Sequence, residues 1–181
     1  MEGKGILVSE RENHRSRRNR SITINSPVED KILWAEEIFQ DTDFTHLAEE
    51  LEKLKEAIER SRTVMNEKGI FKACSECGDK SCCGEGIEQR FDATILILNL
   101  LLGVKLPHKR EIKHGCFFLS NRGCKLKVRE IICINYLCKK IYEEVEIDDI
   151  IEVQRICGEE IDLIFRLSEE IKRKIKEGAR K

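Results

Sequence analysis

The sequence lacks a long hydrophobic run. Its longest apolar stretch, TILILNLLLGV at residues 94–104, contains Asn99 and is shorter than the roughly 20 apolar residues that cross a bilayer. Residues 1–27 hold no apolar run of the kind found at the centre of a secretory signal. These absences predict a cytoplasmic protein that does not enter a membrane.

Common catalytic motifs are also missing. No Ser/His/Asp arrangement and no pair of carboxylates stands out from the charged background. The GEG at residues 84–86 lacks the preceding strand and the third glycine of a nucleotide-binding fingerprint. There is no internal repeat. The sequence therefore favours a binding protein over an enzyme.

A net charge of −1 conceals a segmented distribution of charge. Residues 70–142 carry thirteen Lys and Arg against seven Asp and Glu. The flanking segments are acidic, with six basic against twelve acidic residues in 28–69 and eight against twelve in 143–181. The central segment is therefore the basic one, and it is also where the cysteines are concentrated.

These segments predict the organisation of the chain. We expect a disordered basic tail (1–25), an N-terminal helical pair (26–69), a cysteine-cluster metal-binding region (70–142) and C-terminal helices (143–181), with 26–181 forming one compact domain. The tail carries a basic cluster of Arg15, Arg17, Arg18 and Arg20. A solvated extension is the simpler interpretation of that cluster, and an arm that binds nucleic acid is the alternative.

Helical periodicity dominates outside the cysteine segment. Ser26, Pro27 and Glu29 form a predicted capping box at the start of the first helix. The second helix should run from Asp43 to Lys68 and stop at Gly69. Its apolar positions keep three–four spacing and favour packing within the chain over pairing with a second copy: Phe44, Leu47, Leu51, Leu54, Ile58 and Met65.

Further helices are predicted at 88–102, closed by Gly103, at 130–142, and at 147–157 and 159–177, with Gly158 between the last two. Residues 104–129 should form a loop or short hairpin, because they contain Pro107, two glycines and scattered basic residues. The predicted fold class is mainly α, with helices packed around an irregular cysteine-rich metal-binding centre.

Cysteine is the residue type that the chain has in excess, with nine in 181 residues. Eight fall into two groups, Cys74-x2-Cys77-x4-Cys82-Cys83 and then Cys116, Cys124, Cys133 and Cys138. A Cys-x2-Cys pair places two thiolates about one ion's width apart, as in zinc and iron–sulfur sites. In a reducing cytosol this pattern favours metal over disulfides. Disulfides remain the alternative, since the excess of Ile, Lys and Glu is typical of thermophiles.

The adjacent Cys82 and Cys83 bear on the kind of metal. Neighbouring side chains diverge in extended backbone, so the pair either includes a non-ligand or serves different metal atoms. Zinc and an iron–sulfur cluster, including 4Fe-4S, both stay open, with a preference for the cluster. By formal charge, eight thiolates on two zinc ions leave about −4 and four on a cubane cluster about −2. Local cations available to match this charge are Lys72, Lys80, Lys113, Lys125, Lys127 and Arg129.

The region from 70 to 142 resembles the YkgJ-like CxxCxxCC cysteine-cluster family of zinc- or iron-chelating proteins. The matching positions are the eight cysteines, Phe117–Leu119 after Cys116, and Arg129. Two features depart from the family pattern, namely the four residues between Cys77 and Cys82 and the presence of Glu130 where the family has proline.

The resemblance implies that all eight cysteines bind metal and that Arg129 supports the ligands by charge-assisted hydrogen bonds. It implies no reaction. Larger members are flagellin lysine methylases, which leaves an iron–sulfur-dependent enzyme subunit as one alternative and a nucleic-acid-associated zinc module as another. A protein partner is expected but not identified.

Two further residues have simpler interpretations. His114 precedes Cys116 by two positions, but a loop histidine is the preferred interpretation over a metal ligand or proton carrier. Cys157 lies on an isoleucine-rich helix and is expected to be a small buried apolar residue.

Overall fold

A computed structural model describes residues 22–77 and 82–178. The predicted arginine cluster of the tail and Lys80 lie outside these ranges. Within them the fold is mainly α, as predicted. The helices are α1 (Val28–Asp41), α2 (Ala48–Glu67), α3 (Ile70–Ser75), α4 (Ala93–Leu101), α5 (Ile131–Asn135), α6 (Lys139–Glu144) and α7 (Ile147–Gly178). Single 3₁₀ turns occupy Thr45–Leu47 and Ile87–Arg90, and a hairpin pairs β1 (Leu119–Ser120) with β2 (Gly123–Cys124).

Helix α1 begins without the predicted capping box. Pro27 is its N-cap residue, and no side chain caps the helix. The hydroxyl of Ser26 instead accepts a hydrogen bond from the backbone N–H of Thr23, at 3.0 Å. The Ser26 hydroxyl oxygen therefore accepts a hydrogen bond within the turn before the helix, and it does not cap the helix as predicted.

Helices α2 and α7 pack along each other and form the most extensive contact between two elements of the described part. All six predicted apolar positions of the α2 region are buried, from Phe44 to Met65. Gly69, at φ 75°, ends this part of the chain as predicted and precedes α3 directly.

The two predicted C-terminal helices are one continuous helix, α7, of 32 residues. Gly158 does not divide it. A glycine in a helix interior costs only about 1 kcal/mol relative to alanine. The burial of Val153, Cys157, Ile164 and Leu167 along the same face outweighs that penalty.

Helix α4 lies at the centre, where it contacts both α1 and α7. Every side chain from Ala93 to Asn99 is buried, which explains why its sequence is apolar on all sides. Asp92 caps the helix by accepting a hydrogen bond from the Thr94 N–H at 3.0 Å. The helix starts later than predicted, because 87–90 forms a 3₁₀ turn instead.

Residues 104–130 form loops around the predicted short hairpin. The predicted helix at 130–142 is interrupted, since Tyr136–Cys138 separates α5 from α6. One hydrophobic core nevertheless joins side chains of all seven helices in the described part. None of those helices is long and apolar enough to cross a membrane.

Candidate metal centre

Helix α3 and helix α6 bring the ends of the cysteine segment together. Cys74 lies in α3, and Cys138 is the residue on which α6 begins. The Lys140 ammonium group donates to the carbonyl of Ala73 at 3.2 Å and pairs with Glu76 at 3.1 Å. This link holds α6 against α3, so that Cys74 and Cys138 interact electrostatically although they are far apart in sequence.

A backbone contact places Cys83 beside Cys116. The Cys116 N–H donates to the Cys83 carbonyl at 2.8 Å, and Gly84 and Gly115 form an isolated antiparallel bridge next to it. A Cβ atom at Gly115 would lie 3.0 Å from side-chain atoms of Ile112 and Leu119, so a larger residue there would have to displace these neighbours. The first cysteine group is thereby joined to the second.

The remaining thiols come from the hairpin and from α5. Cys124 ends β2, and Cys133 lies in the middle of α5, which packs against α7. Arg62 of α2 donates to the Leu126 and Lys127 carbonyls at 3.1 and 3.4 Å. These bonds fix the backbone that connects the two cysteines.

The thiols of both groups influence one another's ionisation. Burial, reinforced by neighbouring thiols and Glu88, raises the pKa of Cys116 to about 12. Burial, reinforced by Cys83 and Cys124, raises the pKa of Cys133 to about 12 as well. A thiolate at either position is therefore unfavourable unless a cation accompanies it.

The first group shows the same mutual influence. The hydrogen bond with Cys83, together with burial, raises the pKa of Cys82. Burial, followed by the charges of Cys138, Cys77 and Cys83, raises the pKa of Cys74. Cys77 also directs its sulfur to the Ala73 carbonyl at 3.6 Å.

Each of the eight predicted ligands thus has an electrostatic interaction with at least one other of them: Cys74, Cys77, Cys82, Cys83, Cys116, Cys124, Cys133 and Cys138. Each of the nine cysteines falls in the described ranges, and none of them forms a disulfide. Within 22–77 and 82–178, however, no three His, Cys, Asp or Glu side chains are grouped as a metal ion would require. The thiols share a region without already forming a set of ligands.

Arg129 lies among these thiols. Its positive charge lowers the pKa of Cys74, Cys124 and Cys133, in opposition to the burial that raises all three. Its Nη2 atom contacts the Met65 sulfur at 3.9 Å. Its Nε atom is buried and has no hydrogen-bond partner in the part of the chain that the structure describes. A buried, unused donor beside sulfur atoms suits a thiolate acceptor.

Three charged residues of the region carry no signal in the sequence. Glu88 is 1% exposed and pairs with Arg110 at 2.5 Å, and Arg110 also donates to the Gly115 carbonyl beside Cys116. The third is Arg62. Such contacts join segments that are distant in sequence, so spacing alone does not reveal them.

The other predicted cations do not all face the thiols. Lys125 pairs with Glu111 at 2.8 Å, and Lys127 donates to the Leu102 carbonyl at 3.1 Å. His114 has an exposed side chain that lies 4.0 Å from Glu85. Its exposure agrees with the predicted loop histidine.

Cys157 is fully buried in α7 and packs in the hydrophobic core, as predicted. Next to it on the same helix is Glu160, which is also 0% exposed. Burial raises the pKa of the Glu160 carboxyl, and the nearby Arg129 opposes that rise. Arg129 therefore has an acidic neighbour on one side and thiols on the other.

Comparison of the chain with known protein families, curated proteins and solved structures finds no match.

Proposed function

We propose that this is a metal-binding protein whose eight cysteines between 74 and 138 hold zinc or an iron–sulfur cluster. The supporting observation is that thiols from five separate places in the fold influence one another's ionisation: α3, the segment before the 3₁₀ turn, the approach to the hairpin, the hairpin itself, and α5–α6. Thiolate sulfur is the ligand that both zinc and iron–sulfur clusters prefer.

The charges around the thiols support the same proposal. Burial, reinforced by neighbouring negative charges, opposes ionisation of Cys74, Cys116 and Cys133. A bound cation compensates for this burial, because it stabilises the thiolate form directly. Arg129 supplies one further positive charge and a free donor for the outer side of such a site.

A polynuclear cluster is the preferred occupant. Cys82 and Cys83 are adjacent and hydrogen-bonded to each other. Cys83 also interacts with Cys74, Cys124 and Cys133, which come from different directions. Two neighbouring thiols with different sets of companions suit more than one metal atom better than a single tetrahedral ion.

The experiment is purification of the full chain without air, followed by elemental analysis and an absorption spectrum. An iron–sulfur cluster gives a brown protein that absorbs broadly near ~400 nm, and zinc gives a colourless one. Cys74→Ser and Cys138→Ser should lower the metal content, whereas Cys157→Ser should retain it.

Removal of the metal gives a second readout. A strong chelator should increase hydrogen exchange at 70–77 and 115–142 while the long α2–α7 pair stays protected, because the first regions contain only short helices and a two-residue hairpin. Full metal content in Cys74→Ser and Cys138→Ser would show that the assigned ligands are wrong. Absence of any metal from the anaerobic protein would end the proposal.

A further inference from the structure

A cavity of about 240 Å³ lies away from the cysteines. Its wall consists of residues 22–24, Trp34 of α1, the first residues of α4 and the C-terminal part of α7. No cysteine lines it. The volume corresponds to about eight water molecules at their density in the liquid, which is enough for a small organic molecule.

Buried Lys31 holds one wall of the cavity in place. Its side chain is 0% exposed, and its ammonium group donates to the Ile24 and Gln89 carbonyls, each at 2.7 Å. Burial of a lysine is unfavourable unless its donors are satisfied. These two bonds tie the segment before α1 to the 3₁₀ turn that leads into α4. Lys31 therefore fixes the position of Ile24, which lines the cavity.

The lining is apolar with an excess of positive charge at one side. Ile24, Trp34, Ala93 and Ile175 provide the apolar surface. The ionisable lining groups are Asp92, Lys172 and Lys176, which together carry one net positive charge.

One cation of the lining has no ion pair with a described residue. Lys172 pairs with Asp92 at 3.4 Å and with Glu169 at 3.1 Å, whereas Lys176, one helical turn further along α7, has no ion pair with any described residue. An anion beside Lys176 would supply the missing ion-pair partner.

We propose that this cavity binds a small monocarboxylate with an apolar body, such as a medium-chain fatty acid. The apolar body lies against Trp34 and Ile175, and the carboxylate pairs with Lys176. One negative charge neutralises the lining. Inorganic phosphate is disfavoured, because it carries close to two charges, is strongly hydrated and leaves the apolar surface uncovered. The site shares no lining residue with the proposed metal centre.

Trp34 is the only tryptophan of the chain and reports on the cavity directly. Titration of the full-length protein with octanoate should change its fluorescence saturably, with half-saturation at or below about 1 mM. 1-Octanol has the same chain without the charge and should bind about 10-fold more weakly. Inorganic phosphate should have no effect.

Lys176→Met should weaken octanoate binding about 5- to 10-fold, because it removes the unpaired cation. Lys174→Met is the matched control. It makes the same change on the same helix, but Lys174 interacts with Asp43 and does not line the cavity.

Three results would each overturn the proposal. These are no saturable response to octanoate, equal binding of 1-octanol and octanoate, and equal weakening by Lys174→Met and Lys176→Met. Circular dichroism should show unchanged helix content in both lysine variants, since Lys176 is exposed near the end of α7.

Discussion

Asn99 is a buried polar residue that holds the backbone leading to Arg129 and the candidate metal centre. It is 0% exposed and makes four hydrogen bonds. Its Nδ2 donates to the Ile95 and Val128 carbonyls at 2.9 and 2.8 Å. Its Oδ1 accepts from the Lys127 and Val128 N–H groups at 2.8 and 3.1 Å. One side chain thus fixes the backbone immediately before Arg129.

Asn99→Leu should destabilise the protein by about 4 kcal/mol. The substitution leaves the N–H and the carbonyl of Val128 without their Asn99 partners, and Val128 is itself 0% exposed. An unsatisfied buried group costs about 1–3 kcal/mol, which gives about 2–6 kcal/mol for the pair. The Lys127 N–H adds little, because Lys127 is an exposed residue that reaches water easily.

The measurement is the free energy of unfolding from urea titration, followed by circular dichroism at equal metal content. A loss of 4 kcal/mol should lower Tm by about 10 °C for a chain of this size. Asn99→Ala should be destabilised to a similar extent, although it removes volume where leucine adds it, so the common loss reports the hydrogen bonds. Asn66→Leu, at an exposed position of α2, is the control and should change stability by less than about 0.5 kcal/mol. If both Asn99 variants lose less than about 1 kcal/mol, the assigned importance of this network is wrong.

Two further predictions concern the scaffold. Gly158→Ala should raise the free energy of unfolding by about 0.5–1 kcal/mol in thermal melts, because an added methyl group there meets no atom within 4 Å. Gly69→Ala is the control. Its methyl group also meets no atom within 4 Å, but the φ of 75° at Gly69 should make the substitution destabilising. Burial raises the pKa of Glu88, but the hydrogen bond and charge of Arg110, with a bond from the Gly86 N–H, outweigh it and hold that pKa below 4.5. Glu88 therefore stabilises the fold above its unfolded pKa and loses that contribution as pH falls through its folded pKa. Glu88→Gln should lower the free energy of unfolding by about 2–3 kcal/mol at pH 7 in urea titrations. This difference in the free energy of unfolding between the variant and the native protein should shrink below about pH 4.5. A difference that stays constant from about pH 7 to below about pH 4.5 would contradict the ion pair.

Local periodicity was sufficient to predict much of the helical scaffold. The six apolar positions of the α2 region are buried because three–four spacing alone defines a helix face. The continuity of α7 was not predictable in the same way. Gly158 weakens the helix locally, and only the contact with α2, formed through the tertiary fold, shows that this weakness is overcome.

The candidate site likewise contains residues that the sequence predicted and residues that it did not. Cysteine spacing marked the thiols as candidate ligands, and the family resemblance implied that Arg129 supports them. Nothing in the spacing pointed to Arg62, which reaches a carbonyl 64 positions away, or to the Glu88–Arg110 pair beside Cys116. Asn99 stood out in the sequence only as a polar residue within an apolar run. Its role depends on a loop 29 positions later, which no local pattern describes.

The unbroken course of α7 has a mechanical consequence. Glu160 lies within electrostatic reach of Arg129, and Ile175 lines the cavity together with Trp34. The two positions are about 22 Å apart along a helix that rises 1.5 Å per residue. Because α7 is unbroken between these positions, a tilt or translation of the helix at Glu160 also displaces Ile175.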